Sequence, residues 1–169
     1  MRRALIWLVI IAAAAAAFWW TQLRPRETRV TVYFVGSADG AATVVPVERT
    51  VLGRGAEARL RGAVETLLAG PSPPERTKGL TTEIPTGTRL HGLTIREGVV
   101  TIDLTGSIAS GGGSSSMQGR LWQLVYTGTQ LPQARQMRLL IDGAERQALG
   151  GEGLLVDRPI GRPPAFPRF

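Results

Sequence analysis

Cysteine is missing from all 169 residues. That excludes a disulfide framework, a thiolate metal site and a lipid-attachment cysteine. Lysine is nearly missing. Lys78 stands alone among 20 basic residues, so the positive charge is carried by arginine. Neither the Walker pattern with its lysine nor the dinucleotide fingerprint occurs, and no cofactor is expected. Histidine occurs once, at His91, and no Gly-x-Ser-x-Gly elbow accompanies it. A nucleophile–base pair needs a histidine beside a serine and an orienting acid, so His91 reads as a packing or surface residue. A concentrated basic run is also missing. Arg2, Arg3, Arg24 and Arg26 supply four of the seven net positive charges, and the remainder is sixteen basic against thirteen acidic residues. That balance is mild for one domain and points away from a nucleic-acid partner.

What the chain does have begins at its start. Residues 4–23, ALIWLVIIAAAAAAFWWTQL, carry no charge. A bilayer-spanning helix needs about 20 such residues. Arg2 and Arg3 precede the stretch, Phe18, Trp19 and Trp20 form an aromatic belt near its end, and Arg24 closes it. A cleaved signal peptide is the competing reading, with small-residue sites within residues 12–17. Apolar character resumes after the alanines, which favours an uncleaved anchor. Either reading sends the rest of the chain to the extracytoplasmic side, so the expected location is the cell membrane, single-pass.

Periodicity then sets the domain. The expected divisions are an anchor at 1–24, a linker at 25–29, an α+β domain at 30–156 and a tail at 157–169. Val30, Val32 and Phe34 share one face of a strand. Residues 43–52 form a second extended run, and Pro46 inside it marks an edge strand or bulge. Leu60, Ala63, Val64, Leu67 and Leu68 fall on one helical stripe, and Gly70-Pro71 stops that helix. Gly62 weakens its interior by about 1 kcal/mol. Residues 71–88 are a proline-punctuated connection. Residues 89–131 read as hairpin, glycine-serine loop and helix, with Glu97-Gly98 as the hairpin turn. Met117, Leu121, Leu124, Val125 and Gly128 recur at helical spacing, and Ser115 with Gln118 has the spacing of a capping box. Residues 136–141 form a strand, Asp142-Gly143 a turn, and residues 144–149 the return. The tail has four prolines and no apolar period, so disorder is expected. The order β-β-α-β-β-α-β-β gives a two-layer α+β domain, one sheet covered on one face by two helices, behind a transmembrane helix.

Several segments in this order are similar to the GerMN domain family. They are VTVYFVG, VVPVERTV, the helix ending LLAGP, IPTGTRLHGLTIREGVVTIDLTGSI, the glycine-serine loop with its helix, and VYTGTQLPQARQMRLLIDGAERQALGG. They cover about residues 30–152. The resemblance implies a non-enzymatic envelope domain of the kind found in spore germination and sporulation proteins. It departs from the family's spore protein in having one copy and no lipid-attachment cysteine.

The expected role is therefore protein binding in envelope complexes, with envelope proteins or further copies of the chain as partners. The candidate surface comprises Gly111, Gly112, Gly113, Ser114, Trp122, Tyr126, Tyr33 and Arg96, with the edge near Pro46. Trp122 and Tyr126, at i and i+4, widen the core face or, if exposed, form a contact patch. Peptidoglycan binding through aromatic and arginine side chains is the alternative. Asp103, at a strand end, reads as an acceptor of loop N–H groups rather than one of a catalytic carboxylate pair. The loop at 111–116 reads as flexible with a serine cap rather than as an anion nest.

Overall fold

The computed structural model describes residues 13–15, 19, 26–38, 40–150 and 153–169. The expected membrane segment at 4–23 lies almost wholly outside them. Among the described residues no helix is long and apolar enough to cross a membrane.

The domain opens with a long antiparallel hairpin of β1 (Glu27–Ala38) and β2 (Ala41–Leu52). Val30, Val32 and Phe34 project from one face into the main core. Helix α1 (Gly55–Ala69) follows and buries Leu60, Ala63, Val64 and Leu67 against that face. Leu60, Val64 and Leu67 each contribute about 1.5–3 kcal/mol on burial. Gly62 is required by this packing. A Cβ there would meet Val51 Cβ at 2.9 Å, so α1 lies closer to β2 than alanine would allow. A short helix, α2 (Pro73–Thr77), sits in the connection. There Glu75 accepts the Ser72 N–H at 2.8 Å and the Arg49 guanidinium at 2.6 Å, pinning β2 to the connection. The Arg49 hydrogen bond is the main reason its carboxyl pKa falls to about 2.

The second hairpin is β3 (Leu90–Arg96) with β4 (Val99–Leu104). Its turn residues Glu97 and Gly98 both take positive φ, 52° and 82°, as a two-residue turn of this kind requires. β4 pairs in parallel with β5 (Gln136–Ile141). Parallel neighbours need a crossover, and helix α3 (Ser114–Gly128) supplies it. β6 (Ala144–Glu145) returns from the Asp142-Gly143 turn, where Arg138 pairs with Glu145. Then come β7 (Ala148–Leu149), β8 (Leu154–Leu155) and β9 (Ile160–Gly161).

The α+β class is as expected, but a single sheet with two helices on one face is not what forms. The strands divide into β1–β2, the set β3-β4-β5-β6 with β9 on β5, and β7–β8. Helices α1 and α3 each touch both larger sheets. The reason lies at the outer edge of β1. Thr31 donates its N–H to Gln130 Oε1 at 2.7 Å, and Gln130 Nε2 donates back to the Thr31 carbonyl at 2.8 Å. Tyr33 donates to Thr127 Oγ1 at 3.2 Å and accepts from Gln123 Nε2 at 3.1 Å. Val35 exchanges both bonds with Thr81, at 2.9 and 2.8 Å. All six outward backbone groups of these residues are thus met. Most are met by side chains on or just past α3, so no further strand can join β1.

α3 is accordingly buried on both its apolar and its polar stripes. Gln123 and Thr127 are fully enclosed. The Ser115–Gln118 capping box does not form, because the helix starts two residues earlier, with Gly113 as its cap. The tail expected to be disordered is in contact with the domain, as described below.

Replacing Gln123 by leucine keeps the volume and strands both the Tyr33 carbonyl and the Glu83 N–H that Gln123 Oε1 accepts at 2.9 Å. The expected loss is about 2–4 kcal/mol, read as a lower urea midpoint at unchanged slope. An unaltered midpoint would contradict this role for Gln123.

Candidate interaction surface

β1 has no free edge over residues 31–35, whereas β2 does. Each outward residue of β1 faces a partner whose own N–H and C=O also point outward, away from the hairpin. These partners are Val44, Pro46, Glu48, Thr50 and Leu52, opposite Val35, Tyr33, Thr31, Arg29 and Glu27. Pro46 brings no donor to that edge, in line with proline's confinement to such positions. At its start the edge is taken by the C-terminus. Phe169 donates its N–H to Ala42 O at 3.1 Å, and Thr43 Oγ1 donates to Pro167 O at 2.9 Å. From Pro46 to Leu52, no strand covers β2 among the described residues. Leu52 is 66% exposed. A groove of about 490 Å³ runs beside it, lined by Thr50, Leu52, Gly62 and Glu65.

Of the candidate surface residues, Tyr33 and Tyr126 are both buried, so Tyr126 takes the core-facing alternative and not the contact patch, and Tyr33 is no exposed contact residue. The tail covers them. Phe166 stacks on Tyr126 at 5.2 Å and approaches Tyr33 at 6.4 Å. The Arg162 guanidinium lies 5.3 Å from the Tyr33 ring centre and 5.0 Å from that of Tyr126. Arg162 also donates to Thr129 Oγ1 at 3.0 Å and to the Tyr126 carbonyl. Tyr126 Oη donates to Ala165 O at 3.3 Å. Burial raises the Tyr126 phenol pKa; the Arg162 charge offsets part of the rise, and Tyr33 adds to it. Trp122 is half-buried beside this cluster, with Phe169. The tail is therefore the lid of a second small core, held by aromatic stacking and cation–π contact.

The glycine-serine loop is tied down from within. Gly111, Gly112, Gly113 and Ser114 are exposed, but Arg120 beneath them is 3% exposed. Its guanidinium donates to the carbonyls of Ile108, Ser110 and Gly111 at 2.7–2.9 Å, to Glu83 O at 2.9 Å and to Ser116 Oγ at 3.2 Å. Desolvation lowers its pKa, and the Glu83 charge opposes that. The loop is thus an exposed knuckle anchored to α3, and its cap residue, Gly113, has no side chain to cap the helix.

Arg96 and His91 are exposed on β3. Asp103 accepts the Gly143 N–H at 2.9 Å, and Asp142 accepts the Gly106 N–H at 3.2 Å. Two aspartates thereby hold each other's neighbouring loops, the structural role read for Asp103. Among the described residues no group of three His, Asp or Glu side chains could hold a metal. Sequence reasoning missed the tail, whose signal was Phe166 and Phe169, and the polar stripe of α3. The signal there was a 15-residue helix with Arg120 as its only charge.

The family model for sporulation and spore germination, Germane, matches residues 31–147. Among solved structures, the tandem GerMN domains of the sporulation protein GerM from Bacillus subtilis align with a TM-score of 0.66 at 24% identity, covering 81% of this chain and 46% of that one. This chain therefore spans about half the length of the tandem protein. A putative lipoprotein from Clostridium perfringens aligns at 0.59 and 23% identity, over 80% and 88% of the two chains. The first GerMN domain of GerM alone aligns at 0.60 and 17%, over 80% and 98%. No curated protein matches the chain.

Tyr33 and Tyr126 are the only tyrosines, so tyrosinate absorbance reports on the tail directly. Phe166→Ala is expected to bring the Tyr126 titration down toward its ordinary value and to cost about 1 kcal/mol. A pH titration followed by tyrosinate absorbance checks this, and an unshifted curve would contradict the lid.

Proposed function

The chain belongs to the Germane family of sporulation and spore germination domains, and from that premise we propose that it is a non-enzymatic protein-binding module of the cell envelope. Residues 4–23 hold it in the membrane, with the α+β domain on the extracytoplasmic side, where it contributes to assembly of an envelope complex. The observation that carries this reading is the asymmetry of the long hairpin. One edge is closed by side chains, and the other is open beside an apolar groove. An open edge accepts an extended segment by main-chain pairing, and flanking pockets read alternate side chains. Pro46 and Glu48 at the edge limit indiscriminate pairing, as proline and charge do on natural edge strands. The partner is an envelope protein or a second copy of this chain. The glycan-binding alternative needs an open aromatic face, and burial of Tyr126 under the tail counts against it.

A photo-crosslinker placed at Thr50 in cells producing the full chain should give discrete protein adducts. Adding Pro at Leu52 (Leu52→Pro) removes an outward N–H that serves no bond within the hairpin. It should cut the adduct yield several-fold while the fold persists. Adducts found only in the sacculus fraction would contradict protein binding and favour the glycan reading.

A further inference from the structure

The open stretch of β2 has sharp limits. On one side the tail occupies Ala42 and Thr43. On the other the strand ends at Leu52, and Gly53 turns its N–H inward to Arg26 O at 3.1 Å. Between these limits Pro46, Glu48, Thr50 and Leu52 turn their main-chain groups outward, and each is exposed. Residues 46–52 are centred on Arg49. A strand that matches them must be of the same length. It must also leave the donorless Pro46 little to miss, keep like charge away from Glu48, and cover the apolar Leu52. The same stretch of another copy, run antiparallel, meets each of these demands.

We infer that the occupant of this edge is a second copy of the chain, paired β2 to β2 about a two-fold axis at Arg49. This names the partner within the protein-binding reading above and rests on that reading. In this register Glu48 lies opposite the partner's Thr50, and each exchanges both main-chain bonds with the other. Leu52 lies opposite the partner's Pro46 and donates its N–H to that carbonyl, so only the missing proline donor goes unused. Arg49 Nη1 already donates to Glu48 O at 3.1 Å, and a carbonyl accepts two donors. Arg29 stands opposite Thr50 within each hairpin, so the row from Glu48 runs through the partner's Thr50 to the partner's Arg29, negative toward positive. Sliding the partner by two residues is worse either way. Centred on Glu48, the pairing sets that carboxylate against itself; centred on Thr50, it sets Glu48 against Leu52 and carries Pro46 past the end of the strand. At the axis Arg49 meets the partner's Arg49, but each is engaged within its own copy, by Glu75 at 2.6 Å and over the Phe34 ring at 5.7 Å. On that face the partner's Val47 comes beside Val51, at the groove of about 490 Å³ that Val51, Gly62 and Thr66 line. The groove, the exposed Leu52 and the open edge are thus filled by one partner.

Because the chain has no cysteine, an introduced thiol reports on its own position alone. Residues directly opposite at a non-hydrogen-bonded position have Cα atoms about 4.5 Å apart, inside the disulfide range of about 4.4–6.8 Å. The full chain is produced in cells with Arg49→Cys, Glu48→Cys or Thr50→Cys, and mild oxidation is read as covalent dimer. Arg49→Cys is expected to link to itself in far higher yield than either neighbour. Two differently tagged copies, one with Glu48→Cys and one with Thr50→Cys, keep Arg49 and its ion pair should Arg49→Cys fail to fold. Their mixed dimer is expected to exceed both self-dimers, and adding Leu52→Pro to both copies should lower it about ten-fold. Equal linking of all single variants, or self-linking strongest at Thr50→Cys or Glu48→Cys, overturns the pairing about Arg49. Absence of covalent dimers while the photo-crosslinker at Thr50 still captures other proteins overturns the second copy and leaves the protein-binding reading standing. Absence of both kinds of protein adduct overturns the two together.

Discussion

The structure depends on how the outer edge of β1 is completed. A strand edge presents alternating donors and acceptors that another strand normally meets. Here Gln123, Thr127 and Gln130 meet four of those groups on Thr31 and Tyr33, and Thr81 meets the pair on Val35. The three α3-side residues stand at helical spacing, so one helix face imitates a strand. Two consequences follow. The register of α3 against the hairpin is set, because a slip would leave amides and carbonyls unmet at a cost of about 1–3 kcal/mol each. The hairpin is also kept from merging with the β3–β5 sheet, which leaves β2 as the open edge.

The arginines divide by what surrounds them. Arg120 is enclosed and spends its donors on loop carbonyls, fixing the glycine-serine knuckle from below. Arg162 lies across two tyrosine rings and fastens the tail. Arg49 pairs with Glu75 and links β2 to the connection after α1. Arg26, Arg54 and Arg59 line a cleft at the start of α1, with no carboxylate among its described lining residues. In a chain with one lysine, this planar, always-charged donor does the internal fastening.

Much of this could be read in the sequence. Period-two runs gave the two hairpins, the Glu97-Gly98 and Asp142-Gly143 pairs marked turns, and the apolar stripes located α1 and α3. The pairing of β1 with helix side chains could not be read. Gln130 and Thr31 are 99 residues apart, and a polar helix stripe looks alike whether it meets water or a strand edge. The tail misled for a related reason. Proline-rich composition removes local structure, but Thr43 and Pro167, 124 residues apart, hydrogen-bond, and Phe166 finds two tyrosines. Tertiary contact supplied the order that local pattern lacked. The same contacts explain why Tyr33 and Tyr126, sensible surface candidates from spacing alone, lie in a second small core. His91 and Asp103 were easier, because a lone histidine and a strand-end aspartate have commonplace structural roles.

Amide hydrogen exchange on the two strands of the long hairpin tests the central claim most directly. If α3 completes β1, the amides of Thr31, Tyr33 and Val35 exchange as slowly as those paired within the hairpin, while those of Thr50 and Leu52 exchange quickly. Equal, fast exchange at both outer edges would contradict it, leaving β1 as open as β2.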